Sequence, residues 1–204
     1  RDVTTVTAEN TIDPVFRVTA DGVTISGFTL TGASGHQEEP IKKDGDGINL
    51  DGADNCVVTD NAFIANRQGA YVTGSNNAFQ RNIISNNISN GVILIADKDE
   101  PTHLGDNNTF DGNTIADNIK YGLNISTSNN TFINNTITGN DGCGVALFGG
   151  TSGNKINFNA ISGNTGAGGV YSIASYTNDA TKNWWGTATG PIHSTNPGAT
   201  GNKV

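Results

Sequence analysis

The sequence has little positive charge, no methionine and only two cysteines. Its 11 lysines and arginines stand against 19 aspartates and glutamates, which gives a formal net charge of −8. Proteins that bind nucleic acids or anionic membranes use basic patches to neutralise phosphate groups. No apolar run approaches the roughly 20 residues that cross a bilayer. The composition therefore argues against a nucleic-acid partner and against insertion into a membrane.

Several common catalytic motifs are absent too. The chain has no G-x-S-x-G, which would mark a hydrolase nucleophile, and no phosphate-binding G-x-x-x-x-G-K-[ST]. Its cysteines and histidines lack the spacing of a zinc site. The sequence is therefore nearly silent on these chemistries, and function has to be argued from the fold.

What the sequence does contain is 27 glycines and a repeat rich in asparagine. The unit N-x-F-x-x-N-x-I-x-x-N occupies residues 108–118 and returns at 130–140, an offset of 22 residues (130 − 108). After each unit comes a glycine followed by alternating apolar residues. This second element begins at Gly47, Gly69, Gly91, Gly122 and Gly144, and one step, from 91 to 122, is longer by nine residues (31 − 22). Self-similarity at such a period predicts a solenoid.

The apolar residues in each element alternate with a period of two, which predicts β-strands and no helices. Ile48 and Leu50 then face the interior, while Asn49 between them faces outward. Three short strands per turn, each stacked on its equivalent one turn away, form parallel sheets around a shared apolar core. We therefore predict an all-β fold, a single-stranded parallel β-helix of about six to seven coils with ~22 residues each.

The recurring asparagines are predicted to be structural. Asparagine tolerates left-handed backbone, and its amide can bond its equivalents in the coils above and below. We expect asparagine ladders at the corners of the coil, including Asn82, Asn113, Asn135 and Asn159. Cys56 and Cys143 lie four repeats apart, or roughly 19 Å at ~4.8 Å for each stacked strand, so we expect no disulfide between them.

The repeat resembles the right-handed parallel β-helix repeat of NosD-like proteins, of carbohydrate-processing enzymes and of many surface proteins. The resemblance covers roughly residues 18–173. The segment Lys182-Asn183-Trp184-Trp185-Gly186, with Gly190-Pro191 after it, resembles the NWWG…GP tail that follows such repeats in secreted, multidomain surface proteins.

The repeat runs through most of the chain and predicts one domain, residues 1–204, and the resemblance implies an extracellular or cell-surface location within a larger protein. The parts are an N-terminal strand or cap (1–17), the coils (18–173, with insertions at 33–46 and 96–106) and a C-terminal tail or cap (174–204). The resemblance does not identify the chemistry, because proteins of this fold include lyases, hydrolases, epimerases, adhesins and structural arrays.

The two insertions flank one strand of the coil, which predicts a trough between them. Loops on a rigid scaffold often carry functional sites. The predicted floor is the outward set Asn49, Asp51, Tyr71, Thr73, Ile93 and Ile95.

The first insertion carries the candidate catalytic residues Asp44 and Asp46. The repeat register places Arg67 beneath Gly45, and thus next to both carboxylates. Asp44 and Asp46 could bind Ca²⁺ through hard oxygen ligands, or the set of Asp44, Asp46 and Arg67 could move a proton on a sugar. A solvated charged loop with local ion pairs is the alternative interpretation.

The residues predicted to bind substrate line the same trough. Tyr71 could stack on a sugar ring, whereas the second insertion could instead be a lid over Ile93 and Ile95. The predicted set is Lys42, Lys43, Asn49, Asp51, Tyr71, Asp97, Asp99 and His103.

Two functional hypotheses remain open. The first is a non-catalytic module of a secreted or cell-surface protein that binds polysaccharide or a cell-envelope glycan, or serves as a spacer. The second is a polysaccharide-processing enzyme, either a uronate lyase or epimerase or a glycoside hydrolase, with its site in the trough between the two insertions and with Ca²⁺ as a candidate cofactor. Copper handling of the NosD kind is not supported, because methionine is absent and His36, His103 and His193 are far apart in sequence.

Overall fold

The computed structural model describes residues 3–37 and 43–204, and within these ranges the chain forms short β-strands and no helix. No helix that could span a membrane occurs in this part of the chain. In chain order the strands are β1 (Thr4–Thr7), β2 (Phe16–Val18), β3 (Thr24–Ser26), β4 (Phe28–Thr31), β5 (His36–Gln37), β6 (Lys43–Asp44), β7 (Asp46–Leu50), β8 (Val57–Thr59), β9 (Ala62–Ile64), β10 (Gln68–Val72), β11 (Ala78–Gln80), β12 (Ile83–Ser85), β13 (Val92–Leu94), β14 (Thr109–Asp111), β15 (Thr114–Ala116), β16 (Tyr121–Ile125), β17 (Thr131–Ile133), β18 (Thr136–Thr138), β19 (Cys143–Leu147), β20 (Lys155–Asn157), β21 (Ala160–Ser162) and β22 (Gly168–Ser172).

These strands stack into three parallel sheets. Sheet A has the order β1-β4-β9-β12-β15-β18-β21, sheet B has the order β2-β7-β10-β13-β16-β19-β22, and sheet C has the order β3-β8-β11-β14-β17-β20. Strands β5 and β6 form a separate antiparallel hairpin within the first insertion. The chain is a right-handed parallel β-helix, which confirms the predicted fold class.

The interior is filled by residues that stack on their equivalents in the next coil. Phe79, Phe110 and Phe132 are fully buried, and their ring centroids lie 4.6 Å and 5.2 Å apart with nearly parallel planes. Aromatic pairs of this kind stabilise beyond the burial of their area. Because the period places an apolar residue at the same depth in each coil, a hydrophobic fraction of only 34% still fills a continuous core.

Buried asparagines link the coils at three corners, in series that we call the asparagine ladders. In the pattern shown by Asn113, Oδ1 accepts a hydrogen bond from the Asn82 backbone N at 2.9 Å, and Nδ2 donates to Phe79 O at 2.9 Å and to Asn135 Oδ1 at 3.0 Å. The ladders run through Asn77, Asn108, Asn130, Asn154 and Asn178; through Asn61, Asn82, Asn113, Asn135, Asn159 and Asn183; and through Asn66, Asn87, Asn118, Asn140, Asn164 and Asn202.

The left-handed backbone at these corners lies one residue before most ladder asparagines, rather than at the asparagine as the sequence argument assumed. Gly112 and Asn134, with φ of 67° and 56°, immediately precede Asn113 and Asn135. The chain turns at the preceding residue, which leaves the ladder residue in ordinary backbone with its amide directed along the stack. A ladder position therefore requires asparagine for its amide group and not for its tolerance of positive φ.

Close approach between coils explains the glycine that recurs at the start of the sheet B strands. A Cβ atom built on Gly91 would lie 2.6 Å from the carbonyl oxygen of Gly122 and 2.9 Å from Nδ2 of Asn118. Any side chain there would displace both the neighbouring strand and a ladder amide, so only glycine fits.

Parallel pairing extends beyond the coils predicted for residues 18–173. At the N-terminus β1 pairs with β4, and in the tail Ala160 and Trp184 form a parallel bridge. Trp185 is only 8% exposed and packs onto the core at this end. Cys56 and Cys143 are both free and buried.

Candidate functional site

The outer face of sheet B lies between the two insertions. The strand registers align one outward residue from each coil, and we call this set the central row. It consists of Arg17, Asn49, Tyr71, Ile93, Asn124, Ala146 and Tyr171. The neighbours of Asn49 in its strand, Ile48 and Leu50, are completely buried, so the backbone that carries the row is anchored in the core.

The N-terminal part of the central row is polar and charged. Arg17 Nη1 lies 3.6 Å from Asp51 Oδ2, and the two side chains are 55% and 38% exposed. An exposed ion pair of this kind contributes little to folding stability, because water screens both charges. Because both side chains are partly exposed, Arg17 and Asp51 are accessible to a ligand on this face.

Asp46 and Arg67 lie on adjacent coils at the edge of the same face. The backbone N of Arg67 donates to Gly45 O at 3.0 Å, so Arg67 sits directly below Gly45. Asp46 is 1% exposed, and its Oδ2 accepts a hydrogen bond from Asn49 Nδ2 at 3.0 Å. Arg67 is half-buried. The fold thus brings two of the predicted catalytic residues close together but leaves Asp46 shielded from solvent.

Strands β5 and β6 form the hairpin that precedes Asp46. Asp44 pairs with His36, and Lys43 pairs with Gln37. Lys42 lies outside the described residues, and the description does not extend to the side chains of Lys43 and Asp44. Ligation of Ca²⁺ by Asp44 and Asp46 therefore stays a prediction, as does sugar binding by Lys42 and Lys43.

The second insertion folds back toward the coil-two turn. The imidazole of His103 packs directly on Gly52, where a Cβ atom would collide with the ring. His103 Nδ1 lies 3.8 Å from Asp97 Oδ2, and the backbone N of Asp97 donates to His103 O at 2.9 Å. Asp97 Oδ1 also accepts a hydrogen bond from the backbone N of Asp99 at 2.9 Å. These contacts hold the second insertion against the turn that follows Asp51.

Thr73 is not part of the trough floor, contrary to the sequence argument. Strand β10 ends at Val72, and the chain turns there, so the Thr73 side chain points into the corner with only 3% exposure. Its Oγ1 accepts a hydrogen bond from Gly52 N at 2.8 Å and donates to Leu50 O at 3.3 Å. Thr73 therefore ties one coil to the next.

An aromatic cluster that the sequence argument missed covers the C-terminal part of the outer face. The Tyr121 and Phe148 ring centroids lie 5.7 Å apart, and those of Phe148 and Tyr171 lie 6.4 Å apart. Ala146 belongs to the outward-facing row, yet it is fully buried beside these rings, while Tyr171 is 39% exposed. The sequence feature that could have predicted this cluster is Tyr171, which occupies the same position of the repeat as Tyr71.

Donors for a metal ion do not converge in the described part of the chain. Residues 3–37 and 43–204 contain no group of three or more His, Cys, Asp or Glu side chains that could hold a metal. Cys56 and Cys143 are buried, and burial raises the pKa of the Cys143 thiol to about 12. His36 lies in the hairpin, His103 in the second insertion and His193 in the tail. Since copper prefers sulfur and imidazole ligands, these residues do not fit a copper site.

Comparison with known proteins agrees with the fold. The model of the family "Periplasmic copper-binding protein (NosD)" matches residues 3–202. No curated protein matches the sequence.

Among solved structures, the A-module of the mannuronan C-5 epimerase AlgE4 from Azotobacter vinelandii is similar with a TM-score of 0.62 and 24% identity, over 72% of this chain and 37% of that one. The periplasmic alginate epimerase AlgG is similar with a TM-score of 0.58 and 19% identity, over 78% of this chain and 34% of that one. The chain thus spans only about a third of the length of either epimerase.

Proposed function

The chain belongs to the NosD family, and from this premise we propose that it is a non-catalytic polysaccharide-binding module of an extracytoplasmic protein. The proposed binding surface is the outer face of sheet B, from Arg17 to Tyr171. The names of the similar proteins support the setting, since NosD and AlgG are described as periplasmic and the two epimerases are named for mannuronan and for alginate.

The observation that carries this proposal is the composition of the central row. Tyr71 and Tyr171 project from equivalent positions of the repeat, and the second belongs to the aromatic cluster. Aromatic rings offer an apolar face to the C–H groups of a sugar, while polar side chains such as Asn49 and Asn124 can bond its hydroxyls. Rigid strands hold all four side chains, so binding would cost little ordering of the protein.

The length of the row suits a linear polymer. Six steps of ~4.8 Å separate its seven residues, which gives a surface of roughly 29 Å along the stack. Asp51, Asp97, Asp99 and His103 would line one side of a chain bound along this axis. A polysaccharide could then contact several coils at once.

Copper, which the family description names, finds no fitting donor set in the described residues, and no role is derived for it. The enzymatic alternative receives limited support. A lyase or epimerase needs a base that reaches the sugar, whereas Asp46 is 1% exposed and hydrogen-bonded to Asn49. Asp51 and the Asp97–His103 pair are more accessible acid–base candidates, so the experiment that tests binding also includes turnover.

The experiment measures retention of the chain on immobilised polysaccharides, uronate-rich and neutral, with Ca²⁺ and with chelator. We expect retention on at least one of them, weakened about tenfold by Tyr71→Ala or Tyr171→Ala, which corresponds to about 1.4 kcal/mol for one lost ring contact. Tyr176→Ala is the matched control, because Tyr176 is 65% exposed but does not belong to the central row.

Absence of retention on every polysaccharide would contradict the proposal and leave a structural spacer. Turnover of a polysaccharide, detected as unsaturated product or as altered uronate stereochemistry, would instead establish the enzymatic alternative. Loss of that turnover in Asp46→Asn or Arg67→Ala would assign it to the edge of sheet B, and loss in Asp51→Asn would assign it to the trough.

A further inference from the structure

An open, shallow depression of about 440 Å³ lies between the last coil and the C-terminal tail, and we call it the cap cavity. Its wall is formed by three glycines and by Ser162, Trp184, Trp185, Thr187, Thr200 and Asn202. None of these residues belongs to the outer face of sheet B. The tryptophans are those of the NWWG motif, for which the polysaccharide-binding face gives no role.

The backbone around Trp184 is fixed by the last coil. Trp184 N donates to Asn159 O at 2.8 Å, and Ile161 N donates to Trp184 O at 2.7 Å, which makes Trp184 a parallel neighbour of Ala160. Asn183 continues the asparagine ladder, since its Oδ1 accepts a hydrogen bond from Asn159 N at 2.9 Å. The indole of Trp184 is thus carried by an ordered strand-like segment.

Two consecutive tryptophans on such a segment point in opposite directions. Trp185 is 8% exposed and packs into the end of the core. Trp184 is 52% exposed and forms part of the cavity wall. Burial in the core therefore does not account for the large aromatic side chain of Trp184.

The walls next to Trp184 are close-packed and polar. A Cβ atom on Gly201 would lie 2.6 Å from the carbonyl oxygen of Trp185, so the chain passes too close there for any side chain. Thr189 Oγ1 lies 2.9 Å from Thr187 Oγ1 and 3.0 Å from Thr200 Oγ1, which links the two cavity threonines through one hydroxyl. Each hydroxyl can both donate and accept, so this chain can rearrange to meet either kind of ligand group.

From this combination we infer that the cap cavity binds a single uncharged sugar unit. The Trp184 indole would stack on the apolar face of the sugar ring, and the hydroxyls of Thr187 and Thr200 would bond its hydroxyl groups. The lining residues carry no charge, so a uronate carboxylate would lose water there without gaining a cationic partner. The ligand class is therefore a neutral pyranose, either free or at the end of an oligosaccharide.

Tryptophan fluorescence provides a direct test, because Trp184 and Trp185 are the only tryptophans of the chain. The probes are neutral hexaoses of glucose, mannose and xylose, with oligoguluronate as the charged comparison. We expect at least one neutral probe to shift the emission to shorter wavelength in a saturable way, as an exposed indole becomes covered. Oligoguluronate is expected to bind at least tenfold more weakly.

Two variants make the assignment specific, and binding to them is measured by calorimetry because one of them removes the reporter. Each is made in protein that also carries Tyr71→Ala and Tyr171→Ala, so that the polysaccharide-binding face contributes little heat of its own. Trp184→Ala should abolish binding, whereas Thr187→Val, which keeps the side-chain shape and leaves both tryptophans in place, should weaken it about fivefold or more. Trp184→Phe should restore part of the affinity, and melting curves identify any variant that fails to fold. Tyr176→Ala should leave this binding unchanged, because Tyr176 belongs neither to the cap cavity nor to the central row.

Three results would overturn the inference. They are no saturable fluorescence response to any of the neutral probes, an equally strong fluorescence response to oligoguluronate, or unchanged binding in folded Trp184→Ala or Thr187→Val protein. Retention on immobilised polysaccharide through Tyr71 and Tyr171 is independent of all three, so failure of the cap cavity would not imply failure of the proposed function.

Discussion

Removing one ladder amide tests the physical account of the scaffold most directly. Asn113→Ala should leave the backbone conformation unchanged, because the residue with left-handed φ at this corner is Gly112 and not Asn113. The side chain is 1% exposed and makes four hydrogen bonds, two accepted from Asn82 and one donated to each of Phe79 and Asn135. The substitution therefore isolates the amide contribution from turn strain.

The size of the effect follows from which partners lose their bonds. Asn82 Nδ2 keeps its bond to Val58 O at 2.8 Å, and Asn135 Oδ1 keeps the bond from the backbone N of residue 113 at 2.8 Å. The backbone N–H of Asn82 loses the acceptor on which it depends, inside a dry corner. A stranded buried donor costs about 1–3 kcal/mol and a lost neutral bond about 1 kcal/mol, so we expect a loss of about 2–4 kcal/mol.

The assay combines global stability with amide exchange. For a chain of this size, a loss of about 3 kcal/mol lowers the melting temperature by roughly 6–12 °C. Hydrogen exchange at the Asn82 amide should accelerate more than exchange in the distant coil that contains Asn159. Asn124→Ala is the matched control, because Asn124 lies in a neighbouring strand of the same coil, points outward and is only half-buried.

The ladder account would be refuted if Asn113→Ala and Asn124→Ala cost the same. It would also be refuted if the Asn82 amide kept its protection in folded Asn113→Ala protein, because the stranded N–H is the main source of the predicted loss.

Two further predictions concern single buried or strained positions. Ala65 adopts a φ of 56° on an exposed corner, so Ala65→Gly should raise the free energy of unfolding in urea by about 0.5–1 kcal/mol. Ala62→Gly is the comparison, because Ala62 lies in a strand and glycine should destabilise it. An equal loss of stability in both variants would contradict the strain argument. Burial raises the pKa of the Cys143 thiol from 9.0 to about 12, so the folded protein releases this proton less readily than the unfolded one. The protonated Cys143 thiol contributes fully to the free energy of unfolding below about pH 9, and this contribution falls by about 1.4 kcal/mol for each pH unit between 9 and 12. The slope should be missing in Cys143→Ala. Identical dependence of unfolding on alkaline pH in the two proteins would contradict this prediction.

The fold was predictable because one repeat fixes three quantities at once. The spacing of Phe79, Phe110 and Phe132 sets the length of a coil, the alternation within each strand sets which side faces inward, and a nine-residue excess identifies an insertion. A solenoid uses these quantities almost without modification, since each coil contacts only its neighbours. The repeat pattern in the sequence therefore determines most of the fold.

The candidate site was less predictable because its contacts join residues that the period does not relate. Tyr121 begins strand β16, while Phe148 follows the end of β19, yet their ring centroids lie only 5.7 Å apart. The packing of His103 on Gly52 depends on the path of an insertion that has no repeat. The burial of Thr73 arises where a strand ends and alternation no longer applies.

The asparagine ladders explain how this scaffold can vary its surface without losing its core. The bond from Asn77 N to Asn108 Oδ1 is 2.9 Å although the coil between them is longer by nine residues, and the equivalent bond from Asn108 N to Asn130 Oδ1, across an ordinary coil, is 2.8 Å. An insertion that leaves and rejoins the stack between two ladder positions thus changes neither the register nor the corner. Both insertions of this chain are placed at the ends of sheet B strands, next to the central row. Variation in such loops would alter what the outer face binds while Phe79, Phe110 and the ladders preserve the fold, so differences in ligand between members of the family should map to these loops and not to the repeat.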